Sequence, residues 1–145
     1  MLQVNQKSRG SHPYLRSSKS KIYVIKRDKE GNYILLKGSI NNEAISILNI
    51  YAPSGMALNF LKEKLRELQE EIDNKTVILG DLNLALSELD KSNHKTNKKE
   101  IKEVNIILEK LGMLDLWRKL NGDRREYTFF SAVHETYSKI DHILG

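Results

Sequence analysis

Apolar residues recur along the chain with two periods, and the switch between them divides it. Ile22-Tyr23-Val24-Ile25, Tyr33-Ile34-Leu35-Leu36-Lys37-Gly38 and Ala44-Ile45-Ser46-Ile47-Leu48-Asn49-Ile50-Tyr51 are rich in β-branched and aromatic side chains, the composition of strands. Turn formers separate them at Asp28-Lys29-Glu30-Gly31-Asn32 and Asn41-Asn42-Glu43, and Pro53 stops the third. Such short joins predict an antiparallel meander. Leu61, Leu65, Leu68 and Ile72 then return at helical spacing among Lys62, Lys64, Glu67, Glu70 and Glu71, which predicts an amphipathic helix from about 57 to 73. Thr76-Val77-Ile78-Leu79 has the wholly apolar character of a buried central strand. A loop of mixed charge is expected over about 87–97. Ile101, Val104, Leu108 and Leu111 set a second helix, with Gly112 placed to end it. Tyr127-Thr128-Phe129-Phe130 and Ile140-Asp141-His142-Ile143 predict two further strands. Residues 1–20 are polar and aperiodic, so they are expected to form a poorly ordered tail before a domain at 21–145. Antiparallel strands with helices at the ends of apolar strands belong to the layered α+β class.

Composition narrows the picture without changing it. The 145 residues suffice for one domain, with 39% apolar residues for its core. No apolar run of the roughly 18 residues that a membrane span needs is present, and residues 1–7 lack a signal peptide's apolar stretch. The chain has no cysteine, which rules out disulfides and thiolate-bound zinc and suits a reducing compartment, nuclear or cytoplasmic. The net charge of +5 is uneven: residues 1–38 hold nine Lys/Arg against two acids, and residues 39–90 hold four against nine. A basic flank and an acidic middle suit a protein that grips phosphates at its edge and a divalent cation at its centre, though solvated surface lysines explain the same numbers.

Three stretches carry candidate chemistry. In Val77-Ile78-Leu79-Gly80-Asp81-Leu82-Asn83 a buried strand ends at a glycine, and a carboxylate and an amide follow two residues apart. On an extended backbone Asp81 and Asn83 face the same way, so the carboxylate could hold a hard cation or take a proton from water and the amide could donate to a phosphate oxygen. Gly, Asp and Asn are also ordinary turn formers, and alone the stretch fits either account. Asn49 and Tyr51 alternate with Leu48 and Ile50 and so share the face away from the core; a half-buried tyrosine is the simpler account of Tyr51 by itself. Asp141 stands between Ile140 and Ile143 in an apolar strand, where a carboxylate needs a partner, and His142 beside it points to the other face. Thr128 is expected to turn toward the cleft and Phe129 into the core, with Trp117 packing the turn after the second helix. His12, His94 and His134 fall in loops, and Lys95, Lys98, Lys99 and Lys102 form a basic run that suits a solvated helix start or a nucleic-acid backbone.

Together, Asn49-Ile50-Tyr51-Ala52-Pro53, Leu79-Gly80-Asp81-Leu82-Asn83, Tyr127-Thr128-Phe129-Phe130-Ser131 and Ser138-Lys139-Ile140-Asp141-His142 follow the order and spacing of the endonuclease/exonuclease/phosphatase superfamily. From about Lys21 to Gly145 the chain most resembles the endonuclease domain of the second open-reading-frame protein of mammalian non-LTR retrotransposons. The resemblance implies a four-layered α/β sandwich of mixed and antiparallel sheets, and Mg²⁺-dependent (alternatively Mn²⁺-dependent) hydrolysis of DNA. It implies that Asp81 activates water or binds the metal, Asn83 and Tyr51 hold the scissile phosphate, Asp141 orients a histidine, and Asn49, Thr128 and Ser138 support the phosphate and DNA. A reverse-transcriptase portion of a longer polyprotein is the implied companion.

The departures are specific. Family members begin with strands carrying an asparagine and then a metal-binding glutamate, and close with a Ser-Asp-His strand; none of these is in the chain. Ser54 stands for a common asparagine and Leu82 for a common phenylalanine. The expectation is therefore an enzyme domain truncated at both ends and impaired. The alternative is an inactive transposon remnant with at most nonspecific nucleic-acid binding.

Overall fold

The structure is a computed structural model that describes residues 3–4, 15–17, 20–93 and 96–145. Within the stretch expected to be a tail, Gln3–Val4 (β1) and Leu15–Ser17 (β2) pair as short antiparallel strands. His12, His94 and Lys95 lie outside the described residues. β2 pairs with Ser20–Arg27 (β3), which leads into the predicted meander with Tyr33–Ile40 (β4) and Glu43–Ile50 (β5). The register between β3 and β4 slips by one residue between Val24 and Lys26, a β-bulge at Ile25.

Ala57–Glu67 (α1) crosses over so that Thr76–Asp81 (β6) can lie parallel to β5. The predicted helix to residue 73 is shorter than expected. The backbone leaves α-geometry at Leu68 (φ −96°, ψ 5°) and tightens into a 3₁₀ turn over Gln69–Glu71. That turn keeps Leu68 buried while swinging Glu71 to within 2.9 Å of Lys37 and 3.8 Å of Lys26 on the sheet.

Lys98–Lys110 (α2) forms where the period predicts it. Asn97 caps it by accepting from the Glu100 N–H, and Gly112 follows at φ 69°. Leu116–Asn121 (α3) is a short helix capped by Asp115. Phe129–Ser131 (β7) and Thr136–Ser138 (β8) pair only with each other, and Asp141–Leu144 (β9) closes the main sheet against β6. The main sheet is mixed, in the order β1-β2-β3-β4-β5-β6-β9.

One face of this sheet makes the core. Leu35, Leu48, Ile50, Ile78 and Leu144 meet Leu61, Leu65 and Leu68 around α1 and Val104 and Leu108 of α2. On the opposite face, strand register aligns Leu36, Ile47 and Val77 in one row and Ile34, Asn49, Leu79 and Ile143 in the next. The apolar members of these rows stay partly exposed, with Trp117 and Tyr127 sharing a pocket with Leu79 and Ile143 at the β9 edge. Of the four layers the resemblance implies, the described residues build a helical layer and the main sheet, beside the small β7–β8 sheet. Among the described residues no helix is long and apolar enough to cross a membrane.

Candidate functional site

The carboxyl end of β6 is shaped by a close approach. Gly80 has φ 131°, and a β-carbon there would run into the Ile50 carbonyl oxygen and reach 2.9 Å from Asn49 Oδ1. Only glycine lets β5 close over the turn in this way. Asp81 is then held from both sides: its carbonyl accepts from Ala52 N–H at 2.9 Å, and the next residue, the fully buried Leu82, donates to Ile140 O at 2.9 Å. Register places Asp81 directly opposite Asp141.

Asn83 does not continue an extended backbone, as the i, i+2 argument expects. It sits in the left-handed region at φ 48°, which asparagine tolerates better than most residues. Asp81 Oδ1 accepts the Asn83 backbone N–H at 2.9 Å, and Asn83 Nδ2 donates to Ala52 O at 2.6 Å. This Asx turn ties the pair to the strand carrying Tyr51. Asp81 Oδ2 makes no hydrogen bond among the described residues, and Asn83 keeps its side-chain oxygen and one amide hydrogen for another partner.

Asn49 and Tyr51 lie on the sheet face away from the core, as expected, and the Tyr51 side chain is 52% exposed. Tyr51 is clamped at its backbone: its N–H donates to Asn32 O at 2.7 Å, and Asn32 Nδ2 donates to its carbonyl at 3.1 Å. Thr128 precedes β7 rather than lying within a strand. Its hydroxyl accepts from the backbone N–H groups of Ile140 (3.1 Å) and Asp141 (3.4 Å), and its own N–H donates to Ser138 O at 2.9 Å. Thr128 thus pins the start of β9. Asn83, Ser54, Ser138, Ile140, Phe129 and His134 line an open groove of about 610 Å³.

Two side-chain expectations are corrected. Asp141 is exposed, not buried between isoleucines, because β9 turns His142 and Leu144 to the core. Phe129 is 49% exposed, because β7 and β8 form their own small sheet, held by Phe130–Tyr137 and Tyr127–Tyr137 ring contacts at 4.7 and 5.9 Å.

A buried network behind β9 goes unread in the sequence. Asp90, expected in a loop of mixed charge, is fully buried and accepts from Leu86 N, Ser87 N and, at 2.5 Å, Arg118 Nη2. The one prior signal is Ser87-Glu88-Leu89-Asp90, a Ser-x-x-acid capping box that the structure forms. His142 Nε2 faces the Leu84 carbonyl at 2.7 Å, which can only accept, so that nitrogen carries a proton. Nδ1 lies 3.0 Å from Lys139 Nζ. Asp115 Oδ2 stands 3.7 Å from both Lys139 Nζ and His142 Nδ1. Burial alone would push the Asp115 carboxyl up; the His142 ring, the Arg118 backbone N–H and the Lys139 charge outweigh it and hold the group down at about 2. Trp117 lies beneath both cations, 5.0 Å from Lys139 Nζ and from the Arg118 guanidinium.

Two places could be asked to hold a cation, and their chemistry separates them. Asp90, Asp115 and His142 bring ligand atoms within 4.8 Å of one another. Lys139 and Arg118 already supply the positive charge there, so this cluster does not fit a metal. At the end of β6, the free oxygen of Asp81 and the Asn49 side-chain oxygen beside Gly80 are hard donors. Oxygen donors of this kind suit a small divalent ion.

The fold is shared with solved nucleases. The AP endonuclease of Leishmania major superposes with a TM-score of 0.63 at 19% identity, over 81% of this chain and 46% of that one. The endonuclease domain of TRAS1, a telomere-specific non-LTR retrotransposon, also gives 0.63, at 12% identity over 99% of this chain and 66% of that one. TDP2 of D. rerio, in complex with a single-strand DNA product, gives 0.54 at 15% identity, over 90% of this chain and 54% of that one. The chain thus spans about half to two thirds of the length of these structures. The model of the endonuclease/exonuclease/phosphatase family matches residues 11–145, and the chain belongs to that family.

Proposed function

We propose that this chain carries the phosphate-binding side of a Mg²⁺-dependent DNA endonuclease site. The observation that carries this reading is the convergence of Tyr51, Asp81, Asn83 and Asp141 on one end of one sheet, with Gly80 shaping the turn between them. Tyr51 and Asn83 have free donors for the non-bridging oxygens of a phosphodiester. Asp81 Oδ2 accepts the proton of a water as its oxygen adds to phosphorus, the bond to the leaving sugar oxygen breaks, and that oxygen takes a proton from solvent water. Held at Asp81, Mg²⁺ or Mn²⁺ would supply a Lewis acid that neutralises charge on the phosphate. Thr128 fixes the backbone of Asp141, whose exposed carboxylate would orient a histidine.

Among the described residues no histidine faces Asp141, since His142 turns inward to Lys139 and Leu84. With no histidine at Asp141 among the described residues, nicking by this chain is expected to be slow, because loss of a catalytic histidine costs orders of magnitude in rate. Nicking of supercoiled plasmid in Mg²⁺, read beside DNA binding at rising salt, tests both statements. Salt-sensitive binding with little or no nicking is expected. Strong nicking that Asp81→Ala abolishes would uphold the function and overturn the impairment, and failure to bind DNA at low salt would sink the function itself.

A further inference from the structure

The bulge in β3 has a directional consequence. Lys26 pairs with Leu35, which faces the helices, and its ammonium accordingly lies 3.8 Å from Glu71 below the sheet. Strict alternation from Val24 would have put residue 26 on the cleft face and residue 27 among the helices. The extra residue reverses this: Arg27 pairs with Ile34, and Ile34 with Asn49, so all three side chains share the face of the candidate site. Bulges next to functional sites commonly re-aim one side chain in this way. Arg27 is exposed and makes no ion pair among the described residues, unlike Lys26. A groove of about 300 Å³ runs between Arg27 and Tyr51 over Ile34 and Asn49, walled by Asn32 and Tyr33.

We propose that Arg27 binds a second backbone phosphate of a nucleic-acid strand, next to the one held at Tyr51 and Asn83. This rests on the DNA-endonuclease reading above and deepens it, because it adds a second phosphate contact along the same strand. Two strand spacings separate Arg27 from Asn49, roughly 10 Å, enough for a sugar to rest on the apolar Ile34 side chain between two phosphates. A guanidinium is suited to the outer phosphate, which it can grip with two parallel hydrogen bonds. Asn32, bonded twice to Tyr51, holds the wall of the groove in register with the site.

Fluorescence anisotropy of a labelled duplex oligonucleotide, titrated with the full chain in EDTA so that no cleavage intervenes, tests the assignment. Arg27→Gln is expected to weaken binding roughly tenfold at low salt and to reduce the slope of log affinity against log salt by about one phosphate contact. Arg27→Lys should keep the slope and recover part of the affinity. Arg66→Gln, which removes the same charge from the exposed side of α1, should change neither by a comparable amount. Equal affinity and slope for Arg27→Gln and the unmodified chain would overturn the assignment while leaving the phosphodiesterase reading intact. An equal effect from Arg66→Gln would overturn it too, as general charge attraction. If the unmodified chain does not bind the duplex, both readings fall together.

Discussion

A methyl group at position 80 has nowhere to go. It would meet the Ile50 carbonyl and the Asn49 side chain, at a φ of 131° that L-residues seldom adopt. Gly80→Ala should therefore destabilise the chain by about 3 kcal/mol, read as a lowered midpoint in urea denaturation. An unchanged midpoint would mean that β5 and β6 do not close on each other as described. Glycine and asparagine beside a carboxylate favour positive φ by residue type alone, which is why Gly80, Asp81 and Asn83 stand out in the sequence. Residue types do not, however, distinguish an i, i+2 strand pair from an Asx turn, so the extended backbone expected at Asn83 gives way to a left-handed one. Asp141 and His142 are harder to read for another reason. In Ile140-Asp141-His142-Ile143 each face of the strand receives one isoleucine, so alternation alone does not say which side is buried. Leu144, fully buried, breaks the tie in favour of His142.

Elements long enough to show their period were legible: the three-strand meander, α2 and the β6 strand stand where apolar spacing put them, and α1 starts where expected but ends at Glu67 rather than near residue 73. What spacing could not show is how the shorter pieces lock together. Asp90 in the loop after β6, Asp115 and Arg118 at the start of α3, and Lys139 and His142 around β9 are distant in sequence and read singly as surface charges. In the structure they form one buried junction of three segments. Asp115→Asn keeps the size of the side chain but leaves Lys139 buried without its carboxylate, and should cost about 3 kcal/mol at neutral pH. The same junction sets an acid limit. The Asp115 carboxyl is held at about 2, below its ordinary 3.8, so its contribution is fully present above roughly pH 4 and is lost as pH falls through the folded-state value. Urea midpoints measured from pH 5 down to pH 2 should fall for the unmodified chain. The gap between it and Asp115→Asn should narrow over that window, and a constant gap would show that Asp115 draws no stability from its ionised form.

At the scale of the whole molecule, the described helices α1 and α2 pack on one side of the sheet. Its helix side buries Leu35, Leu48, Ile50, Ile78 and Leu144, whereas Leu36, Ile47, Val77, Leu79 and Ile143 stay partly exposed on the other face, with Ile143 at 49%. Hydrophobic pattern alone could not foresee this asymmetry, because strands apolar on both faces read as buried on both. Contiguous exposed apolar rows of this kind promote association between chains. Two such sheets can stack face to face at about 10 Å. The chain in isolation is therefore expected to self-associate through this face, not through its helices. Ile47 lies at the centre of the exposed rows, paired with Leu36 on one side and Val77 on the other, and contributes nothing to the helix-side core. Ile47→Lys should accordingly raise the monomer fraction in sedimentation velocity while leaving the urea midpoint nearly unchanged. Ile106→Lys on the exposed surface of α2 should leave the association as it is. A sharp two-state melt of a chain that is monomeric without either substitution would show that this face is not sticky. Loss of association on Ile106→Lys would place the contact on the helical layer instead.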